Sequence, residues 1–114
     1  MPRNMSFALT TSQILDQSKT VTRRFAWWDL KVGTVLNAVE KSMGLKKGEK
    51  IKRLAKIRVV SVRIEPLNNI STDDCAREGF PDHTPETFVD MLQDHYNWKI
   101  RPNQLVNRIE FEYI

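Results

Sequence analysis

The sequence has one cysteine, four glycines and no long hydrophobic run. Because Cys75 has no second cysteine to pair with, an internal disulfide is excluded, and nothing indicates an oxidising compartment. Every apolar run falls short of the roughly 20 residues that a membrane-spanning helix needs. The first residues also lack the apolar stretch of a secretory signal. We therefore expect a soluble cytoplasmic protein.

Several signatures of catalytic or metal chemistry are also missing. The chain contains no glycine-rich motif for a phosphate or a dinucleotide. Its histidines and cysteine lack the short paired spacings of zinc sites, although Cys75, Glu78, His83 and His95 are of ligand type. Residues 71–96 hold seven carboxylates and one basic side chain, the wrong sign for a DNA-binding helix-turn-helix. We predict no cofactor and no bound metal.

What the chain does have is an uneven distribution of charge. Residues 1–70 contain 14 basic and 5 acidic side chains, a net charge of +9, whereas residues 71–114 contain 4 and 9, a net charge of −5. Such asymmetry often accompanies a polyanionic partner. The basic segment from Gly44 to Arg53 reads as a flexible loop between strands, and phosphate contacts would come from Lys46, Lys47, Lys50, Lys52 and Arg53. A solvated surface loop explains the same composition, so both interpretations stay open.

Hydrophobic patterning predicts an α+β protein. Runs of β-branched and apolar residues predict strands over 19–25, 32–39 and 55–64. In the last segment Ile109, Phe111 and Tyr113 share one face, opposite Arg108, Glu110 and Glu112, which predicts a half-buried antiparallel strand. The short strands and regular turns favour a curled, barrel-like sheet.

The predicted helices lie mainly in the acidic half. One begins at Ser71 or Thr72, with early carboxylates favoured by the helix dipole, and ends near Gly79. A second begins at Thr84 with Pro85 in its first turn, and its apolar stripe is Phe88, Met91, Leu92 and Tyr96. A shorter helix is predicted over 11–17, with the side chains of Ile14 and Leu15 facing inward.

Two features point to chemistry. Glu78 falls in the last turn of a predicted helix, where the dipole disfavours a carboxylate by about 0.3–1 kcal/mol, although an exposed surface residue is the simpler interpretation. The run from Lys19 to Arg24 interleaves cations with hydroxyls, and a lysine with a lowered pKa can deprotonate a threonine. Lys19 and Thr22 converge only if Lys19 lies in the turn entering the strand or at a bulge. A basic strand edge that discourages aggregation is the alternative interpretation.

The run Gln17-Ser18-Lys19-Thr20-Val21-Thr22-Arg23-Arg24 resembles the signature of the ASCH domain, a relative of the PUA RNA-binding domain, in which a Lys stands five residues before an Arg. The resemblance continues through 29–36, 57–62, 70–80 and 108–111, so it covers nearly the whole chain and implies a single ASCH domain over 1–114. Where the family often has Gly two residues before this Lys, the chain has Gln17. The resemblance implies a small PUA-like β-barrel with flanking helices lining a cleft.

The resemblance also implies an activity. Bacterial relatives in this family are acetylcytidine amidohydrolases, and their catalytic Lys, Thr and Glu correspond by position to Lys19, Thr22 and Glu78. In the implied reaction Thr22 is the nucleophile, Lys19 takes its proton, and Glu78 holds the amine and passes a proton to the leaving nitrogen. A nucleoside or nucleobase substrate would then be held by Arg23 and Arg24 and stacked on aromatic side chains, for which the candidates are Phe25, Trp27 and Trp28. Core packing is the alternative role for the tryptophans. The alternative function is an RNA-binding module, or a ribonuclease, that uses the basic half of the chain.

Overall fold

The computed structural model describes residues 2–41 and 45–114, so Gly44, the first residue of the predicted basic loop, lies outside the described residues. Five strands form one curled sheet in the order β1-β3-β4-β5-β2. The strands are β1 (Arg3–Ser6), β2 (Val21–Arg24), β3 (Val35–Val39), β4 (Arg53–Pro66) and β5 (Leu105–Tyr113). Strand β1 pairs parallel with β3, and the other neighbours are antiparallel. The sheet is a half-barrel whose edges are β1 and β2, which confirms the predicted curled α+β fold.

The long strand β4 gives the sheet its curl. Its pairing with β5 shifts register between Val59 and Ser61, and its pairing with β3 involves a shift between Ala38 and Val39. A bulge bends the strand that carries it and increases the local twist. The last strand, β5, lies between β4 and β2, so it connects the two halves of the sheet.

Three helices flank the sheet: α1 (Thr11–Leu15), α2 (Thr72–Arg77) and α3 (Pro85–His95). Ser71 caps α2 by accepting a hydrogen bond from the Asp74 N–H, and Thr84 caps α3 in a reciprocal capping box with Thr87. These caps confirm the predicted helix starts. Within the described residues no helix is long and apolar enough to cross a membrane.

Buried apolar side chains form two separate clusters. The first fills the curl of the sheet, and its buried members are Met5, Phe7, Ile14, Leu30, Leu36, Ala38, Ile57, Val59, Ile109 and Phe111. The second packs α3 against the 3-10 turn that follows β4 and against the start of β5, and it contains Leu67, Ile70, Cys75, Phe88, Val89, Leu92, Ile100 and Val106. The α2–α3 segment therefore packs on a second apolar cluster, separate from the one inside the curl of the sheet.

Three sequence-based expectations need correction. Leu15 is 58% exposed, since the short helix α1 turns only Ile14 into the core. Tyr96 is 41% exposed, because α3 ends at His95 and Val89 completes its buried stripe instead. Arg108 is buried, because α2 covers the face of β5 that was predicted to be open.

Candidate active site

A cavity of about 220 Å³ lies where β1 and β2 meet the α2–α3 segment. It brings together five of the predicted site residues: Lys19, Thr22, Arg23, Arg24 and Glu78. The remaining wall includes hydroxyl and aromatic side chains, among them Ser6, Phe7, Thr10, Phe80, Phe88, His95 and Tyr96. The cavity is therefore polar and cationic at its base and aromatic along its sides.

Lys19 lies in the turn that enters β2, as its convergence with Thr22 requires. Several hydrogen bonds fix this turn. The Lys19 N–H donates to the carbonyl of Gln13 over 3.2 Å, and the Tyr113 hydroxyl donates to the Lys19 carbonyl over 2.5 Å. The Thr20 N–H donates to the carbonyl of Arg77 over 2.8 Å, which joins the turn to the end of α2. The position of Lys19 is thus set by α1, α2 and β5 together.

Glu78 is the C-cap of α2, and it is only 3% exposed, so the interpretation of it as a surface residue is wrong. Its Oε1 accepts a hydrogen bond from Lys19 Nζ over 2.6 Å, and its Oε2 accepts one from Arg23 over 3.1 Å. Lys19 Nζ also donates to the Glu78 carbonyl over 2.7 Å. The two cations offset the unfavourable position of a carboxylate at a helix C-terminus.

The protonation of Lys19 is perturbed. Burial lowers the pKa of Lys19 below its usual value, the charge of Glu78 opposes that shift, and the charges of Arg24 and Arg23 add to it. Two of the three donor positions of its ammonium are occupied by Glu78. Among the described residues no third group accepts a hydrogen bond from Lys19 Nζ.

Behind Glu78 lies a buried ion-pair network that sequence reasoning missed. Asp74 accepts hydrogen bonds from Arg23 over 2.6 Å and from Arg108 over 2.7 and 3.0 Å, the latter as a bidentate pair. These hydrogen bonds hold the pKa of Asp74 well below its usual value, with Arg108 the largest cause. Because Arg23 contacts both carboxylates, Asp74 determines the orientation of Glu78 through it. From the sequence, Asp74 was expected only to interact favourably with the dipole of α2.

Thr22 and Arg24 form the other side of the site. The Arg24 Nε donates a hydrogen bond to Thr22 Oγ1 over 3.0 Å. The Arg24 guanidinium also stacks on the ring of Phe7, with Cζ at 4.6 Å from the ring centroid. Strand β1, which the sequence analysis did not predict, supplies Ser6 and leads directly into Phe7. The alternation of Met5 and Phe7 with polar neighbours was the available signal for it.

The three aromatic residues predicted to stack a base do not line the cavity. Trp27 packs against the first apolar cluster, and Cζ of Arg3 lies 4.5 Å from the centroid of its ring. Trp28 is 50% exposed. Phe25 packs against the second cluster and contacts Tyr96 edge to face at 5.2 Å. The aromatic wall is built instead by Phe7, Phe80, Phe88 and Tyr96.

The predicted phosphate-contacting residues lie in the loop between β3 and β4 and at the start of β4. All of them are exposed: Lys46, Lys47, Lys50, Lys52 and Arg53. The loop leaves β3 beside the cavity, because the hydroxyl of Ser6 donates to the carbonyl of Glu40 over 3.2 Å. Its ion pairs are loose, with Lys52 at 3.8 Å from Glu40 and Lys41 at 3.7 Å from Glu49.

The sequence matches no known family profile and no curated protein sequence. Its fold, however, matches that of solved structures. An ASCH domain from Lactobacillus crispatus superimposes with a TM-score of 0.70 over 97% of this chain and 78% of its own, at 17% identity. The chain has the ASCH fold. An Enterococcus faecalis protein of family DUF984 shares that fold with a TM-score of 0.70 over 100% of this chain and 80% of its own, at 19% identity.

A third structure extends the likeness over both full lengths. Hypothetical protein PH0355 aligns with 100% of this chain and 100% of its own, with a TM-score of 0.67 and 17% identity. In this ASCH fold the PUA-like half-barrel supplies Lys19 and Thr22, and the α2–α3 segment supplies Glu78. The predicted fold class is confirmed.

Proposed function

We propose that the protein is an amidohydrolase that removes the acyl group from the exocyclic amine of acylated cytosine or cytidine. The observation that carries this proposal is the buried contact of 2.6 Å between Lys19 Nζ and Glu78 Oε1, inside a cavity that Thr22 also lines. A nucleophile, a base and a residue that orients the base are the elements that nucleophilic acyl transfer requires. The choice of cytosine rests on the sequence resemblance around Lys19 and Thr22.

Thr22 is the nucleophile in this reaction. Its oxygen attacks the acyl carbon, and its proton passes to Lys19 as the new C–O bond forms. The lowered pKa of Lys19 favours the neutral amine that accepts this proton. Arg24 already donates to Thr22 Oγ1, so it stabilises the negative charge that develops there and on the carbonyl oxygen.

Lys19 then returns the proton to the nitrogen as the C–N bond breaks, and the free amine leaves. Water attacks the acyl-threonine ester in the second half-reaction, which releases a carboxylate, a proton and the free Thr22 hydroxyl. Since both oxygens of Glu78 accept from cations, we assign the proton transfer to Lys19 and the orientation of Lys19 to Glu78. This assignment differs from the role expected from the sequence, in which Glu78 passes a proton to the leaving nitrogen.

The cavity limits the size of the substrate. Pockets for drug-sized ligands span about 300–1,000 Å³, and this cavity encloses about 220 Å³. It therefore admits the acyl group and the flat base, with the sugar at the opening. The aromatic wall of Phe80, Phe88 and Tyr96 gives the base an apolar surface to contact.

The test is incubation of the purified protein with acetylcytidine while cytidine release is followed. We expect Lys19→Ala, Thr22→Val and Glu78→Gln each to lower the rate by about 10²–10⁴-fold, as expected for loss of an acid–base or nucleophilic group. Thr20→Val is the matched control, because Thr20 lies two residues from Thr22 and does not line the cavity. Absence of turnover by the folded wild type would refute the hydrolase, and a Thr22→Val variant as active as Thr20→Val would refute the nucleophile.

A second candidate function is RNA binding through the basic loop between β3 and β4. It is favoured by the exit of β3 beside Ser6, which lines the cavity, and by the exposure of the cations Lys46, Lys47 and Lys50 that follow in the loop. Labelled single-stranded RNA would then bind with an affinity that falls steeply as salt rises. Alanine at the three lysines should reduce the salt dependence, and RNA cleavage in the same samples would indicate a ribonuclease.

A further inference from the structure

One cation of the cavity stands outside the buried ion-pair network. Lys19, Arg23 and Arg108 are buried and paired with carboxylates, whereas Arg24 is half-buried. Each of these cations except Arg24 has a carboxylate within 4.0 Å among the described residues. Arg24 therefore carries a positive charge without an ion-pair partner, and it lines the cavity.

The orientation of Arg24 is fixed although it lacks an ion pair. Its Nε donates to Thr22 Oγ1 over 3.0 Å, and its plane rests on the ring of Phe7. A guanidinium has five N–H donors in a rigid fork, and only the Nε donor has a partner among the described protein groups. The edge with the two Nη atoms is thus left for a ligand.

A carboxylate is the ligand that matches this edge. Parallel N–H groups of a guanidinium bind the two oxygens of a planar carboxylate in a bidentate pair. An uncompensated cation in a partly desolvated cavity also gains more from an anion than an exposed arginine does. We infer that the Arg24 edge is a binding site for a small monocarboxylate, adjacent to Thr22.

The location gives the site a role that rests on the proposed function. Since Arg24 contacts the hydroxyl of Thr22, a carboxylate held on its Nη edge occupies the position of the acyl group in the reaction. The carboxylate released from acyl-Thr22 is then retained by Arg24. Acetate consequently acts as a competitive product inhibitor, and removal of acetate by another reaction would sustain turnover.

Binding of acetate to the intact wild-type protein tests the site without any reference to hydrolysis. Saturation-transfer NMR would follow the methyl resonance of sodium acetate and, separately, of acetamide, which has a similar shape and no charge. The expected result is saturation transfer to acetate and none to acetamide. Equal transfer to both molecules, or none to acetate, would overturn the proposal.

An Arg24→Gln variant localises the binding. We expect its acetate affinity to fall at least about tenfold, which corresponds to the loss of one charge-assisted hydrogen bond of about 1.4 kcal/mol. Arg58→Gln, at an exposed position of β4, is the control and should bind acetate as the wild type does. If Arg24→Gln fails to fold by circular dichroism, Arg24→Lys replaces it, since it keeps the charge but loses the bidentate edge, and it should also bind acetate more weakly.

Two further outcomes separate this proposal from the proposed function. Acetate binding that Arg24→Gln abolishes, in a protein that does not hydrolyse acetylcytidine, supports the carboxylate site and refutes only the hydrolase. Hydrolysis that acetate does not inhibit competitively refutes the carboxylate site and leaves the hydrolase standing. The carboxylate proposal would also be overturned if inorganic phosphate bound at Arg24 at least about tenfold more tightly than acetate. The Arg24 edge would then be a phosphate site.

Discussion

The molecule has two strongly cationic regions that differ in almost every physical respect. At the cavity, Lys19 and Arg23 line the wall and Arg108 belongs to the ion-pair network behind it. All three are buried, and each has a carboxylate within 2.7 Å. In the loop between β3 and β4 the cations are exposed and their carboxylates lie at 3.7–3.8 Å. The first arrangement fixes side chains in one geometry, whereas the second leaves its charges in contact with solvent, where ion pairs contribute little to stability. Positive charge thus serves positioning at the cavity and lies open to solvent in the loop.

The largest effect is expected from Asp74, the anion of the buried network. Asp74→Asn leaves Arg23 and Arg108 without their shared carboxylate, so the free energy of unfolding should fall by about 3–5 kcal/mol. Denaturant unfolding measures this loss. Asp73→Asn is the control, because Asp73 stands in the same first turn of α2 and is exposed. Equal losses in the two variants would mean that helix dipole effects, and not the network, explain the role of Asp74.

The same carboxylate predicts an acid limit of stability. Because the native pKa of Asp74 is depressed, the native state binds fewer protons than the unfolded state in acid, and the stabilisation is fully present only above the usual Asp pKa of about 3.9. We expect the free energy of unfolding to fall as the pH drops from about 4. In Asp74→Asn this part of the pH dependence should be absent.

The next largest effect comes from two glycines that share a positive φ, Gly79 at +99° in the cavity wall and Gly48 at +89° in the basic loop. A Cβ at Gly79 would lie 2.7 Å from Cγ of Gln13, whereas a Cβ at Gly48 would meet nothing within 4 Å. Gly79→Ala should therefore destabilise the protein by about 1–3 kcal/mol more than Gly48→Ala. Thermal unfolding of both variants measures the difference, and identical melting temperatures would show that the wall is as adaptable as the loop.

A smaller effect is expected at Tyr113, which donates to the Lys19 carbonyl. Loss of this hydrogen bond in Tyr113→Phe should cost about 1 kcal/mol of unfolding free energy.

Burial raises the pKa of Tyr113 from 10.0 to about 12. The native state therefore retains a proton that the unfolded state loses, so wild-type stability should decline as pH rises from 10 to 12. Tyr113→Phe should lack that part of the decline, and Tyr96→Phe, at a ring 41% exposed, should retain it.

The smallest effect is expected in the basic loop. Lys52→Ala removes an exposed ion pair of 3.8 Å with Glu40, so the free energy of unfolding should change by less than about 0.5 kcal/mol. Chemical denaturation at low and high salt measures it. A loss as large as that of Asp74→Asn would show that the loop is part of the folded framework.

The sequence allowed the fold and the candidate site to be predicted to different depths. The capped starts of α2 and α3 follow from local chemistry, since the side chains that fix them lie within one turn of the chain. Strand periodicity limited the convergence of Lys19 and Thr22 to two arrangements, a turn before the strand or a bulge, and the structure has the turn. The pairing of Asp74 with Arg108 could not be predicted, because it joins residues 34 positions apart across two elements. The exposure of Leu15 depends in the same way on how α1 packs and not on its own sequence.

The placement of β5 has a consequence for the synthesis of the protein. Strand β2 pairs only with β5 among the described strands, and β5 leaves the ribosome after the other four described strands. Until it inserts, the turn carrying Lys19 lacks the Tyr113 hydroxyl, and Asp74 lacks Arg108. A nascent chain can already contain α2 and α3 while Lys19 and Glu78 remain unassembled. Assembly of Lys19 with Glu78 thus depends on β5, so we expect a chain cut before Leu105 to lack the assembled site.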